Sequence, residues 1–249
     1  MGRFDGRVAV VTGAGSGVGR AVARRLVSDG AKVACLDIAK DGLDETIAEL
    51  GSAAHAYIAN VTDADALVEL ASQVQRDLGS VEIVNTCAGI GRFDRSHEID
   101  PKDWQRLIDV NLSGTFFTIR AFLPQMIEAK RGVVITIGSN AGIIAQPYSA
   151  AYCASKAGVI HLTKALADEY LEEHLRFVCV APGSIDTPLQ NQFAHAIPEG
   201  VDFRVFKKIM AKWGAASPDQ IANVVTFLAS DEADYMTGAV VSVDAGLTI

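Results

Sequence analysis

Residues 7–19 read RVAVVTGAGSGVG, an apolar, β-branched run that passes without a break into a turn holding four glycines. Val8 to Thr12 show no polar alternation, the pattern of a strand covered on both faces. The following stretch, GRAVARRLVSDG (19–30), has helical character. Strand, glycine turn and helix in this order build an anion site. Gly13, Gly17 and Gly19 let the chain turn tightly, approach a pyrophosphate and pack the helix on the strand, with Ser16 and Val18 in the same turn. The helix N-terminus offers its unpaired N–H groups to the anion.

Working outward, the same rhythm recurs along the chain. KVACLD (32–37), AAHAYIA (53–59), VEIVNT (81–86), VVITIG (133–138), RFVCVA (176–181) and AVVSVD (239–244) read as strands. Helical stretches lie between them, including long ones expected over 103–130, 150–174 and 218–230. Continuous apolar strands alternating with helices predict an α/β fold: a Rossmann-type, doubly wound, seven-stranded parallel sheet with helices on both faces. No linker or low-complexity tract divides residues 1–249, so one catalytic domain is expected. Residues 188–213, PLQNQFAHAIPEGVDFRVFKKIMAKW, exceed what a crossover needs and follow a strand's carboxyl end, where ligands of open α/β sheets bind. They are the candidate substrate lid.

Composition narrows the function. A chain of 249 residues that is 49% hydrophobic fills a sizeable core, which excludes disordered and fibrous classes. Its apolar runs stay far below the roughly 18 residues of a membrane span. MGRFDGRVAV resembles no signal peptide, and Gly6 stands where a myristoylation motif needs Ser or Thr, so a cytoplasmic protein is expected. With 30 acidic and 22 basic side chains, net charge −8, and Lys and Arg scattered, nucleic acid is not an expected partner. Cys35, Cys87, Cys153 and Cys179 lie far apart and the five histidines show no ligand spacing, so no metal site and no disulfide is expected.

Two further features point to chemistry. The second strand ends at Asp37, whose carboxylate would accept hydrogen bonds from a ribose diol and repel a 2′-phosphate; Ser16, Ile38 and Ala39 supply no cation to receive one. NAD is therefore expected rather than NADP. Among five tyrosines only Tyr152 has a lysine four residues later, Lys156, on one face of a helix. Ser139 precedes that tyrosine by thirteen residues, directly after a strand; chance supplies such a triplet about 0.01 times per chain of this composition.

The chain closely resembles the classical short-chain dehydrogenase/reductase family over nearly its whole length. The resemblance rests on TGAGSGVG (12–19), Asp37, TCAG (86–89), Asn111 in DVNLSGTFF, Ser139, YCASK (152–156), PGSIDT (182–187) and the closing VDAG. It departs from the family at Thr86 and Cys87, where two asparagines are usual, and at Asn60, where an adenine-contacting Asp is usual. The resemblance implies a dinucleotide cleft completed by Asn60, Val61, Cys87, Ala88, Gly89, Pro182, Gly183, Ile185 and Thr187. It implies that Tyr152 is the acid/base, that Lys156 lowers its pKa and holds the nicotinamide ribose, that Ser139 hydrogen-bonds the reacting oxygen, and that Asn111 holds a water leading from Lys156 to solvent.

The leading reading is an NAD-dependent enzyme interconverting a secondary alcohol and its ketone. A reductase of carrier-bound 3-ketoacyl groups and a non-catalytic NAD-binding sensor are the alternatives. A homotetramer is implied by the resemblance, with Leu112, Phe116, Phe117, Ile119, Phe122 and Leu123 as interface candidates. Phe193, Ile197, Phe203, Phe206 and Met210 of the lid outnumber Arg204, Lys207 and Lys208. With Ile143, Ile144 and Tyr148 they favour a bulky, cyclic or aromatic small-molecule substrate.

Overall fold

The structure is a computed structural model that describes residues 2–195, 197–209 and 212–249. Met210 of the candidate lid lies outside the described residues, as do the side chains of Phe203 and Lys208. Strands β1 (Val8–Thr12), β2 (Lys32–Asp37), β3 (Ala54–Ile58), β4 (Val81–Thr86), β5 (Gly132–Ile137), β6 (Leu175–Pro182) and β7 (Val240–Val243) form one parallel sheet in the order β3-β2-β1-β4-β5-β6-β7. The order reverses between β1 and β4, the topological switch point at which such sheets open a ligand crevice.

Helices α1 (Gly17–Ser28), α2 (Lys40–Leu50) and α8 (Pro218–Ala229) cover one face, burying Val22, Leu26, Leu43, Ile221 and Val225 against it. The other face carries α3 (Ala64–Leu78), α5 (Gly114–Ala129) and α6 (Ala150–Glu169), with Leu67, Val74, Ile119, Phe122 and Leu166 in its core. The central strands β1 and β4 are buried almost throughout, which is why they read as unbroken apolar runs.

Three expectations are corrected. The helix expected over 103–130 is two helices, α4 (Pro101–Ile108) and α5, joined by a π-helical turn over Asp109–Ser113. The helix expected over 150–174 stops at Glu169, and His174 takes a left-handed φ of 57° before β6 begins. Of the residues assigned to a symmetric interface, Ile119, Phe122 and Leu123 are buried in the subunit's own core, while Phe116 stays exposed. Residues 188–213 contain the short helix α7 (Pro188–His195) and a 3-10 turn over Phe203–Ile209.

Candidate active site

The carboxyl ends of the strands open onto a cleft of about 800 Å³. Gly13, Ser16, Gly17, Val18 and Gly19 line it from the first turn, Asp37 and Ile38 from the end of β2, and Asn60 and Val61 from the end of β3. Cys87, Ala88 and Gly89 follow β4; Ser139, Tyr152 and Lys156 lie beyond β5; Pro182, Gly183, Ile185 and Thr187 close the wall after β6. Asn111 alone of the candidates is absent from the lining and is fully buried behind it.

The glycine turn is a cradle built from backbone. A Cβ at Gly13 would stand 2.9 Å from the Ala88 backbone, and one at Gly19 would fall on the Gly13 carbonyl. Ser16 precedes α1 in extended conformation and its side chain caps no N–H, so the first-turn amides are left for a ligand. Asp37 is held by the N–H groups of Gly15, 2.8 Å from Oδ2, and Ala39, 2.9 Å from Oδ1, which leaves a lone pair on each oxygen. Nearby cations are committed elsewhere. Lys40 pairs with Asp44, and Arg20 donates to the carbonyls of Gly15 and Gly42 and to Glu45 Oε2, the last at 2.8 Å. At the end of β3, Asn60 Oδ1 accepts from the N–H and hydroxyl of Thr62.

At the opposite end of the cleft, a single turn of α6 sets Tyr152 and Lys156 on one buried face. The Tyr152 hydroxyl hydrogen-bonds Ser139. Ser139 Oγ also accepts the Ala141 N–H at 3.1 Å and donates to Asn140 Oδ1 at 3.2 Å. Lys156 Nζ donates to the Ile137 carbonyl at 2.8 Å and lies 5.8 Å from the Tyr152 ring centroid. Burial pushes the Tyr152 phenol up to about 12, against a downward pull from the Ser139 hydrogen bond. Burial likewise pushes Lys156 down to about 8. The downward pull on the tyrosine comes from Ser139 rather than from Lys156 and is outweighed by desolvation, so the resting site holds a phenol beside an ammonium that no carboxylate pairs among the described residues.

The π turn turns Asn111 inward. Its Oδ1 accepts the Ile90 N–H at 2.9 Å, and its Nδ2 donates to the Ile90 carbonyl and to Ser155 Oγ, both at 3.0 Å. Ser155 in turn donates to the Tyr152 carbonyl at 2.8 Å. Both amide protons of Asn111 therefore tie the loop after β4 to the helix that carries Tyr152 and Lys156. Cys87 stands beside Lys156, with burial pushing its thiol up to about 12. Thr86 Oγ1 is buried with no partner among the described residues.

The wall after β6 is pinned at its base. Ile185 pairs with Ala216; Asp186 N–H donates to the Ala216 carbonyl and Ala216 N–H donates to the Ser184 carbonyl, both at 2.9 Å. Over Tyr152 lies an aromatic cluster: Phe193 meets its ring edge-on at 5.1 Å, Phe93 meets Phe193 at 4.8 Å and Phe206 at 5.2 Å, and Tyr148 stacks on Phe206 at 5.7 Å. Ile143 is exposed. Sequence reasoning missed Arg20, Ser155 and Phe93. Arg20 and Ser155 sit inside the quoted motifs and could have been noticed there; nothing local marks Phe93. Among the described residues no group of three His, Cys, Asp or Glu side chains could hold a metal, and no helix is long and apolar enough to cross a membrane.

A sequence profile of the short chain dehydrogenase family matches residues 7–197. The chain is 36% identical over 251 aligned residues to the 3-oxoacyl-(acyl-carrier-protein) reductase of Thermotoga maritima, covering 99% of this chain and 100% of that one. It is 34% identical to the D-threitol dehydrogenase of Mycolicibacterium smegmatis, covering 99% and 95%. The solved structure titled gox2181 superimposes with a TM-score of 0.90 at 32% identity, over 99% of this chain and 97% of that one. The chain belongs to the short-chain dehydrogenase family, an oxidoreductase family that binds nicotinamide cofactors.

The buried ammonium generates a prediction about stability. The Lys156 pKa is lower in the folded protein than the ordinary 10.5, so between about 8 and 10.5 the unfolded chain binds more protons and wild-type stability rises with pH. Lys156→Met is expected to have a Tm equal to or above wild type at pH 7, with any advantage shrinking by pH 9.5. Thermal unfolding at both pH values checks this; a Tm several degrees below wild type at pH 7 would contradict a cost of burying the charge.

Proposed function

We propose that the protein is a cytoplasmic NAD(H)-dependent dehydrogenase that interconverts a bulky secondary alcohol and its ketone, with Tyr152 as acid and base. The observation that supports this best is the buried Ser139–Tyr152 hydroxyl pair with Lys156 beside it, opening on the same cleft as the Asp37 carboxylate. The residues present fit a dinucleotide: a glycine cradle that a Cβ would fill, free amides at the start of α1, and a carboxylate with open lone pairs at the end of β2. The turn of residues 13–19 would hold the pyrophosphate, Asp37 the adenosine ribose, Ile38, Asn60 and Val61 the adenine side. Gly89, Lys156, Pro182, Gly183, Ile185 and Thr187 would hold the nicotinamide side. When bound, NAD(H) supplies the hydride acceptor or donor.

The chain's own residues handle the proton. A phenol at about 12 is protonated at neutral pH, so Tyr152 rests as a proton donor to a ketone oxygen. Ser139, hydrogen-bonded to Tyr152, can turn its own proton toward the same ketone oxygen, stabilising charge that builds there. Lys156, positively charged over much of the neutral range, favours the phenolate left after the proton has gone. Asn111 acts through Ile90 and Ser155, as a positioning residue that keeps this helix in register with the cleft.

The aromatic cluster over Tyr152 supports an apolar, bulky substrate, since burying an aliphatic or aromatic group there contributes about 1.5–3 kcal/mol. A second reading, reduction of a carrier-bound 3-oxoacyl group, is favoured by the name of the Thermotoga relative. Use of NADPH would distinguish it. The exposed Phe116 on α5 supports a homotetramer, as the resemblance implies.

Three measurements follow. Tyr152→Phe is expected to retain under a hundredth of wild-type turnover while binding NADH within a few-fold; more than a tenth of wild-type activity would refute the acid/base assignment. Wild-type kinetics should favour NAD over NADP, with Asp37→Ala narrowing the ratio at least tenfold. A preference of the wild type for NADP would overturn that reading of β2. Light scattering should give four times the 26.4 kDa chain mass, and a monomer at micromolar concentration would remove the tetramer.

A further inference from the structure

Position 91 is a glycine that its backbone does not require. Gly91 is not among the glycines with positive φ, so other residues could adopt its conformation. What leaves no room for a side chain is Phe193. A Cβ on Gly91 would fall well inside van der Waals contact with Cζ and Cε2 of Phe193 and 3.1 Å from its Cε1, and these three are its nearest neighbours. The ring that fills this notch is the one that stands edge-on to Tyr152, planes 82° apart, with Phe93 against it at 4.8 Å.

The surrounding contacts make the notch part of a longer grip. Phe93 also meets Phe206 at 5.2 Å, and Arg95 donates to the Glu199 carbonyl at 2.9 Å. Asp94 N–H donates to the carbonyl of Tyr148, whose ring stacks on Phe206. The loop after β4 therefore holds residues 193–206 at three places. Two of these contacts, at Gly91 and at Phe93, bear on the ring that meets Tyr152.

We infer that Gly91 is a specificity-determining residue: its missing side chain leaves the room in which Phe193 sits against Tyr152, and so shapes the apolar surface that a substrate held by Tyr152 would meet. The inference rests on the reading of Tyr152 as the acid/base. A methyl at position 91 needs no backbone strain; it displaces one ring. That surface is then lost for substrates large enough to touch it, while the cofactor cradle, built from other glycines, is untouched.

Gly91→Ala, Phe193→Ala and the double variant test this with cyclohexanone and butanone as substrates and NADH as reductant. Gly91→Ala is expected to lower the cyclohexanone-to-butanone ratio of kcat/KM at least fivefold, mainly through KM for cyclohexanone, with the NADH Kd within twofold of wild type. Phe193→Ala should lower the ratio similarly, and the double variant should be no worse than Phe193→Ala alone, because the methyl then has no ring to displace. A wild-type ratio in Gly91→Ala, or additive losses in the double variant, overturns the inference. Hydrogen exchange in residues 188–195 reads the same notch without chemistry. Faster exchange in Gly91→Ala that the double variant shares with Phe193→Ala supports the notch, and exchange unchanged from wild type refutes it. If the wild type turns over neither ketone, the alcohol–ketone reading fails for these substrates while the exchange result still decides the notch.

Discussion

The cleft depends on how closely α1 approaches β1. Gly19 packs on the carbonyl of Gly13 with no room for a methyl, and Gly13 packs on the backbone of Ala88 in the same way. Three chain segments, the turn after β1, the start of α1 and the loop after β4, therefore converge at backbone-to-backbone distance. Such contact brings N–H groups close to an anion that side chains would otherwise hold away. The parallel register carries the effect across the sheet: Thr12, Thr86 and Thr136 are Cα partners in adjacent strands, so the strands end together and their loops share one opening.

From that opening toward α6, the controlling term changes from shape to desolvation. Tyr152 and Lys156 are both buried, and burial works on them in opposite senses, holding the proton on the phenol and loosening it from the amine. The two values move apart, the phenol to about 12 and the ammonium to about 8, without a carboxylate partner among the described residues to fix either one. Asn111 gives the arrangement its rigidity. Its amide bonds the Ile90 backbone as a neighbouring strand would and reaches Ser155 one residue before the lysine. The π-helical turn at Asp109–Ser113, with hydrogen bonds spanning one residue more than in an α-helix, is the local device that aims this side chain inward.

Most of the fold was legible because it is written in local runs. All seven strands are short stretches rich in Val, Ile or Ala, and the glycine turn, Asp37 and the Ser139–Tyr152–Lys156 spacing are sequence-local signals. The π turn was not legible, since apolar spacing continues through residues 107–123 on both sides of the lone Gly114 that ends it. The end of α6 was overrun because EYLEEHL keeps helical composition after the chain has left the helix. Phe93 and Gly91 were invisible for another reason: their meaning comes from Phe193, a hundred residues away, and nothing in either segment announces the other. The neutralisation of Lys40 by Asp44 could be read from an i, i+4 spacing, whereas that of Arg20 by Glu45 requires α1 and α2 to be side by side.

The pairing of Ile185 with Ala216 has a consequence for how much change of length the segment between them tolerates. It staples together the two ends of a thirty-residue excursion, which leaves and rejoins the body of the fold at one place. Lengthening or rewriting a closed loop adds little entropy cost, about 0.6 kcal/mol for each doubling. Where the loop after β4 grips it, at Phe193, Glu199 and Phe206, the segment is tied; between those points its length can change at that small cost. A change of length there leaves the glycine turn and the helix of Tyr152 and Lys156, which rest on other elements, in place.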